Sequence, residues 1–262
     1  MLTVAGVSKT FSPGTVNARV ALTGVDLHLR QGEFVTVIGS NGAGKSTLLN
    51  VVAGTFRPDA GTVTVGGRDV TRLSDHQRAR YIGRVFQNPA SGTAPHMSIE
   101  ENLAMALERG QRRGLRLGVT RAKRERFREE LVALEQGLEG RLEDWVGLLS
   151  GGQRQALSLL MATFSRPDIL LLDEHTAALD PQRAALVTRL TAEVVERYGL
   201  TTLMVTHNMD QALRLGSRLI MMHEGRIVLD LDADAKAGMT VKGLLAEFER
   251  VKGPELDDTL LQ

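Results

Sequence analysis

Phe34-Val-Thr-Val-Ile38 runs directly into Gly39-Ser40-Asn41-Gly42-Ala43-Gly44-Lys45-Ser46-Thr47, and this stretch decides the fold. Its first five residues are a β-type run. The remainder matches G-x-x-x-x-G-K-[ST] at Gly39, Gly44, Lys45 and Ser46, and apolar Leu48, Leu49, Val51 and Val52 follow at helical spacing. Strand, glycine loop and helix in that order are the context a phosphate loop requires, whereas an incidental Gly-rich turn has no need of them. The glycines let successive backbone N–H groups converge on phosphate oxygens, and the positive end of the helix adds to the attraction. Lys45 is expected to reach the β- and γ-phosphates and Ser46 to ligate Mg²⁺.

Working outward, Ile169-Leu-Leu-Leu-Asp173-Glu174 is a continuous apolar run ending in two acids. Such a run fits a parallel strand buried on both faces, and open α/β sheets bind ligands at the carboxyl ends of their strands. Adjacent acids also occur in solvated turns. Beside a phosphate loop, however, Asp173 is expected to hold the hydration shell of Mg²⁺ and Glu174 to polarise the attacking water. Leu149-Ser150-Gly151-Gly152-Gln153 lies about twenty residues earlier. Ser150 can cap the helix that follows, leaving the N–H groups of Gly151 and Gly152 at a positive helix end. One nucleotide needs only one such end in the same plane. A head-to-tail dimer, in which this second site closes over the nucleotide of the other subunit, uses both.

The rest of the chain fits an α/β fold. Thr3 to Val7 and Gly61 to Val65 read as strands, the second ending at the hairpin signal Gly66-Gly67. Ser98 and Glu101 form a capping box for a helix to Arg109, and Pro181 opens another that Gly199 closes. Leu203 to Val205 is a further buried strand, and Arg218 to Leu229 a hairpin turning at Glu224-Gly225. Strands alternating with helices predict a mostly parallel sheet. The segment 87–164 is mostly helical and is expected to form its own lobe. The tail after Asp230 can supply one helix, about Val241 to Val251.

Composition excludes several classes. At 262 residues, 42% hydrophobic and 24% charged, the chain can bury a large core. A net charge of +1 disfavours a dedicated nucleic-acid binder, so no nucleic-acid partner is expected. With no cysteine there is no disulfide and no thiolate chemistry. Met1 to Ser12 shows no secretory leader pattern, and no apolar run approaches the ~18 residues that span a bilayer. Between Arg109 and Arg128 stand nine Arg or Lys and one acid, Glu125. A solvated loop and helix face accounts for such a run, and contact with anionic lipid or a partner is the functional alternative.

With these motifs in this order and spacing, the sequence resembles the ATP-binding subunits of ABC transporters over nearly its whole length. The resemblance implies a P-loop NTPase core with an N-terminal antiparallel β subdomain and an α-helical subdomain. The ATP-binding domain would span 1–230, with 1–86 and 165–230 as its core, 87–164 as the helical part bearing the signature, and 231–262 as a short helical tail. Phe11 looks like the aromatic that stacks on adenine. Gln87 looks like the glutamine that touches Mg²⁺ and the attacking water, Asp180 belongs to the segment that crosses the dimer, and His207 looks like the histidine contacting the γ-phosphate. There are departures. The family usually reads Glu-Pro-Thr-Ser where this chain has Glu174-His175-Thr176-Ala177, so that His175 adds a titratable group beside the proposed catalytic acid. Ala156 replaces a usual Arg or Lys.

What the resemblance implies is an ATPase using ATP and Mg²⁺, peripheral at the cytoplasmic face of the membrane. Its partners would be a second copy, an integral-membrane permease and an extracytoplasmic solute-binding protein. The runs Asp173 to Asp180 and Met221 to Arg226 resemble an importer subgroup associated with amino-acid-type solutes, which favours uptake of an amino acid or similar small solute. An exporter subunit for lipoproteins or drugs, a nucleic-acid-associated ATPase and a P-loop kinase are the alternatives. The kinase would leave Ser150 to Gln153 and His207 without a purpose.

Overall fold

The computed structural model describes residues 1–111, 114 and 117–252. Arg112, Arg113 and Arg116 of the basic run lie outside the described residues. In chain order the elements are β1 (Leu2–Phe11), β2 (Arg19–Leu29), β3 (Phe34–Gly39), α1 (Lys45–Ala53), β4 (Ala60–Val65), β5 (Arg68–Asp69), α2 (Asp75–Arg78), β6 (Ile82–Val85), α3 (Ile99–Leu107), α4 (Arg121–Val132), α5 (Gly151–Thr163), β7 (Ile169–Asp173), α6 (Pro181–Tyr198), β8 (Thr202–Val205), α7 (Met209–Arg214), β9 (Arg218–His223), β10 (Arg226–Leu231), α8 (Ala233–Ala237) and α9 (Val241–Lys252).

Residues 1–78 and 201–252 form one compact unit, and residues 79–200 form the other. In the first unit, β1 is the centre of an antiparallel sheet, paired with β2 from Leu2↔Leu29 and with β4 from Leu2↔Val65. A second sheet sets β3 parallel to both β8 and β9, through Val35↔Leu203 and Val35↔Arg218. β10 returns antiparallel on β9 as the expected hairpin. Phe34 to Ile38 are all buried, the one polar member, Thr36, donating its hydroxyl to the Ala212 carbonyl at 3.0 Å. The tail joins this core: Leu244 and Phe248 of α9 pack in one cluster with Ile38 of β3, Ala212 of α7, and Leu219 and Met221 of β9.

In the second unit, β6 and β7 pair in parallel from Ile82↔Ile169 to Val85↔Leu172. Around them stand the helices. α3 begins at the expected capping box, the Ser98 N–H donating to Glu101 Oε2 at 2.7 Å and the Glu101 N–H to Ser98 Oγ at 3.2 Å. α5 buries Ala156, Leu157, Leu159 and Leu160, and Thr120 caps α4. Part of the basic run is neutralised by acids elsewhere in the unit. Arg124 makes a two-pronged pair with Glu100 at 2.6 and 2.7 Å, and Lys123 reaches Glu108 at 2.5 Å. The unit boundaries follow compactness, and because β6, β7 and α6 group with the helices they are a different cut from the functional one expected at 86/87 and 164/165.

Candidate functional site

The first unit holds the phosphate loop at the carboxyl end of β3. Gly44 stands at the head of α1 with φ 98°, and a Cβ there would lie 2.5 Å from the Ala21 carbonyl oxygen. No residue but glycine fits the conformation and the space. Lys45 is only 6% exposed, and its Nζ donates to the carbonyls of Gly39 at 2.7 Å and Ser40 at 3.0 Å. The loop thus holds its cation in place through its own backbone. Ser46 is exposed in the first turn of α1, and Asn41 and Gly42 are exposed on the loop. α1 is fixed at its other end by a residue the sequence gives no reason to single out. Arg78, 1% exposed, donates to the carbonyls of Val51 and Val52, both at 2.7 Å, and to those of Leu73 and Thr71. A buried cation at the helix C-terminus complements the macrodipole whose positive end faces the loop. Burial lowers its pKa to about 10, so it stays charged at neutral pH.

Two more expected residues lie in this unit. Phe11 ends β1 half-exposed, its ring meeting Phe56 edge-on with centroids 5.1 Å apart, and Lys9 Nζ lies 5.9 Å from the ring centroid. His207 is exposed between β8 and α7, where Asn208 caps α7 by accepting from the Gln211 N–H at 2.8 Å. The Thr206 hydroxyl beneath it donates to Gln211 Oε1 at 2.8 Å, fixing the turn that carries the histidine.

The second unit places three expected residues in two pairs, one of them with an arginine that was not expected. Asp173, ending β7, pairs with Arg84 of β6 at 3.2 Å, both side chains being about 15% exposed. Gln87 Nε2 donates to Glu174 Oε2 at 3.3 Å. Glu174 has φ 42°, a left-handed conformation that a residue with a β-carbon occupies at a cost of about 1 kcal/mol. Such outliers cluster at functional positions. The same turn corrects the expectation for His175. Its ring is buried at 1% exposure, with Nε2 3.0 Å from Thr191 Oγ1, so it does not add a group that titrates near neutral pH. Because the Thr191 hydroxyl donates to the Val187 carbonyl, His175 Nε2 is the donor and Nδ1 carries no proton. Burial pushes its pKa down to about 4, leaving it neutral at pH 7.

Ser150 caps α5 by a capping box: its N–H donates to Gln153 Oε1 at 3.1 Å, and the Gln153 N–H donates to Ser150 Oγ at 3.3 Å. Gly151 is exposed on the first turn and Gly152 is buried. Asp180 caps α6 by accepting from the Arg183 N–H at 3.1 Å. Sequence reasoning passed over Arg84, Gln155 and Arg183. Arg84 had a signal, a charge inside the apolar run Ile82 to Val85. Gln155 is fully buried and donates to the Phe86 carbonyl at 3.1 Å, next to Gln87, and no local pattern indicates that contact.

A family description, "ABC transporter", matches residues 22–177. That span contains the phosphate loop, Gln87, Ser150 to Gln153, Asp173 and Glu174, while Phe11, Asp180 and His207 fall outside it. The chain is 41% identical to a tyrosine transport ATP-binding protein of Clostridioides difficile, over 95% of this chain and 99% of that one. It is 36% identical to the methionine import ATP-binding protein MetN of Geobacillus kaustophilus, covering 87% of this chain and 64% of the relative. Among solved structures, the dimeric ATP-binding cassette MJ0796 with ADP and Pi superposes with a TM-score of 0.76 at 30% identity, over 89% of this chain and 99% of that one. The chain belongs to the ABC transporter family, as an ATP-binding subunit whose hydrolysis of ATP powers transport.

Proposed function

We propose that this chain drives import of tyrosine or a similar amino acid, as a pair of copies held at the cytoplasmic face by an integral-membrane permease fed by an extracytoplasmic binding protein. The similarity to the tyrosine transport protein carries the reading, because it extends over almost all of both chains. Among the described residues no helix is long and apolar enough to cross a membrane.

In this reading Phe11 offers its free face to adenine, while Gly39 to Thr47 enclose the phosphates with Lys45 on the β- and γ-groups. Ser150, Gly151, Gly152 and Gln153 of one copy meet the γ-phosphate bound by the other, and Asp180 crosses between the copies. His207 contacts the γ-phosphate, and Glu174 takes the proton of the attacking water that Gln87 orients. Residues 1–86 and 165–230 act as the ATP-binding part, and 87–164 conveys its motion to the permease.

The oxygen donors of Ser46, Gln87 and Asp173 suit Mg²⁺. Among the described residues no group of three or more His, Asp or Glu could hold a metal ion. Held by these residues together with the nucleotide, Mg²⁺ would neutralise charge on the β- and γ-phosphates.

Glu174→Gln tests the hydrolytic core. It should bind ATP normally, lose at least ~100-fold in turnover and elute as a dimer with Mg-ATP. A monomer at saturating ATP, even with permease present, counts against the paired arrangement. For the solute, proteoliposomes bearing permease, binding protein and this subunit should take up labelled tyrosine when ATP is enclosed, with other aromatic amino acids competing. Uptake of sulfate with no amino acid carried would overturn the assignment.

A further inference from the structure

Arg183 stands in the first turn of α6, three residues beyond Asp180, and its aliphatic stem lies on Gly152. A Cβ at Gly152 would meet Arg183 Cδ at 2.9 Å, Cγ at 3.2 Å and Cβ at 3.3 Å. The space a side chain at 152 would need is therefore filled by the arginine. Next to it, Leu179 Cδ2 would be 3.5 Å from a Cβ at Gly151. Asp180 holds Arg183 twice, Oδ1 accepting its backbone N–H at 3.1 Å and Oδ2 pairing with its Nε at 3.3 Å. Leu179, Asp180 and Arg183 thus lie together over the first turn of α5, where the Ser150 to Gln153 capping box sits.

We propose that Arg183 is a positioning residue for the ATP-bound dimer: it locks 178–180 onto Ser150 to Gln153 of its own chain, so that the two surfaces offered to the partner copy approach as one. The inference rests on the paired reading above. If the two segments moved independently, each would have to be ordered separately on association, and that entropy opposes binding. A stem that occupies the volume over Gly152 and a guanidinium tied to Asp180 remove that freedom beforehand. The contacts of Arg183 are with Gly152 and Asp180, so its loss should weaken pairing and leave monomer binding alone.

The test is sedimentation of Glu174→Gln protein across a range of Mg-ATP concentrations, with and without changes at 183, alongside fluorescent-nucleotide titration of dilute monomer. Arg183→Ala should raise the ATP concentration for half-dimerisation about tenfold, the scale of one lost charge-assisted contact, with nucleotide affinity of the monomer unchanged. Arg183→Met retains a stem over Gly152 without the ion pair and should fall between the two, which also guards against an alanine variant that folds poorly. Half-dimerisation within twofold of the background for both variants overturns the inference. A methionine variant equal to the background beside a defective alanine variant overturns the part assigned to the ion pair. If Glu174→Gln fails to dimerise with Arg183 intact, the paired reading itself fails and the inference falls with it.

Discussion

Lys45 and Glu174 show how differently one residue can be written into a sequence. Lys45 is legible because the glycines around it form a short consecutive pattern and its contacts, the carbonyls of Gly39 and Ser40, are six and five residues away. We expect Lys45→Met to keep the fold while nucleotide affinity falls roughly 10- to 100-fold and hydrolysis becomes undetectable, since one charge leaves the phosphate cradle. Titration with a fluorescent ATP analogue and phosphate release measure both, and unchanged affinity would contradict the role. Glu174 was legible as an acid at a strand end but not in its conformation. The strand ends at this left-handed turn, φ 42°, and the next side chain, His175, lies in the interior. Nothing in Asp-Glu-His as letters announces that turn. Arg84 is similar: its partner Asp173 lies 89 residues away and becomes visible only when β6 pairs with β7.

Among the elements, helix starts were readable, and so was the end of α6, which Gly199 closes at φ 59°, but the side chains that secure the ends of α1 and α7 were not. Ser98, Ser150 and Pro181 announce their helices because a cap acts within three residues. The cations at the C-termini of α1 and α7 come from far along the chain. Arg78 reaches back more than twenty residues to Val51 and Val52, and Lys236 of α8 donates to the carbonyls of Leu215 and Gly216, which close α7. Each of these helices carries a proposed site residue at or just before its first turn, Lys45 for α1 and His207 for α7. Arg78→Met should therefore lower stability by about 3 kcal/mol, because four carbonyls lose a charged donor while the apolar replacement recovers part of the burial. A change under about 1 kcal/mol in urea unfolding would show the guanidinium to be dispensable. Lys236 gives a pH signature. Burial lowers its pKa to about 8 from 10.5. Between those values the unfolded chain holds a proton that the folded chain has released, so stability from this group rises with pH through that window and the gain is absent below 8. Comparing melting temperatures of wild type and Lys236→Met from pH 7.5 to 10.5 should show a rise that the variant lacks, and parallel curves would refute it.

For the molecule as a whole, the least legible feature is what the tail does. The sequence offers one helix in the tail, at about 241–251, where the structure has α9 preceded by the short α8, and a helix pattern alone cannot name the surface it covers. In the structure that surface is the core beneath the phosphate-loop strand. Leu244 and Phe248 are at most 3% exposed, in one cluster with Ile38, Leu219 and Met221, and the Phe248 ring meets His223 edge-on at 6.1 Å. Ile38 immediately precedes Gly39, so the tail packs against the residue that delivers the chain into the loop. Phe248→Ala should cost about 3–5 kcal/mol, the range for removing a buried aromatic and leaving a cavity, with the urea dependence of unfolding unchanged. Because nucleotide binds only the folded chain, saturating ATP should restore part of that loss, about 2.7 kcal/mol at a hundredfold excess over its dissociation constant. A tail that merely rests on the outside would give a loss below about 1 kcal/mol. A tail needed to shape the loop itself would show the full loss with little rescue, because the variant's affinity for ATP would have fallen as well.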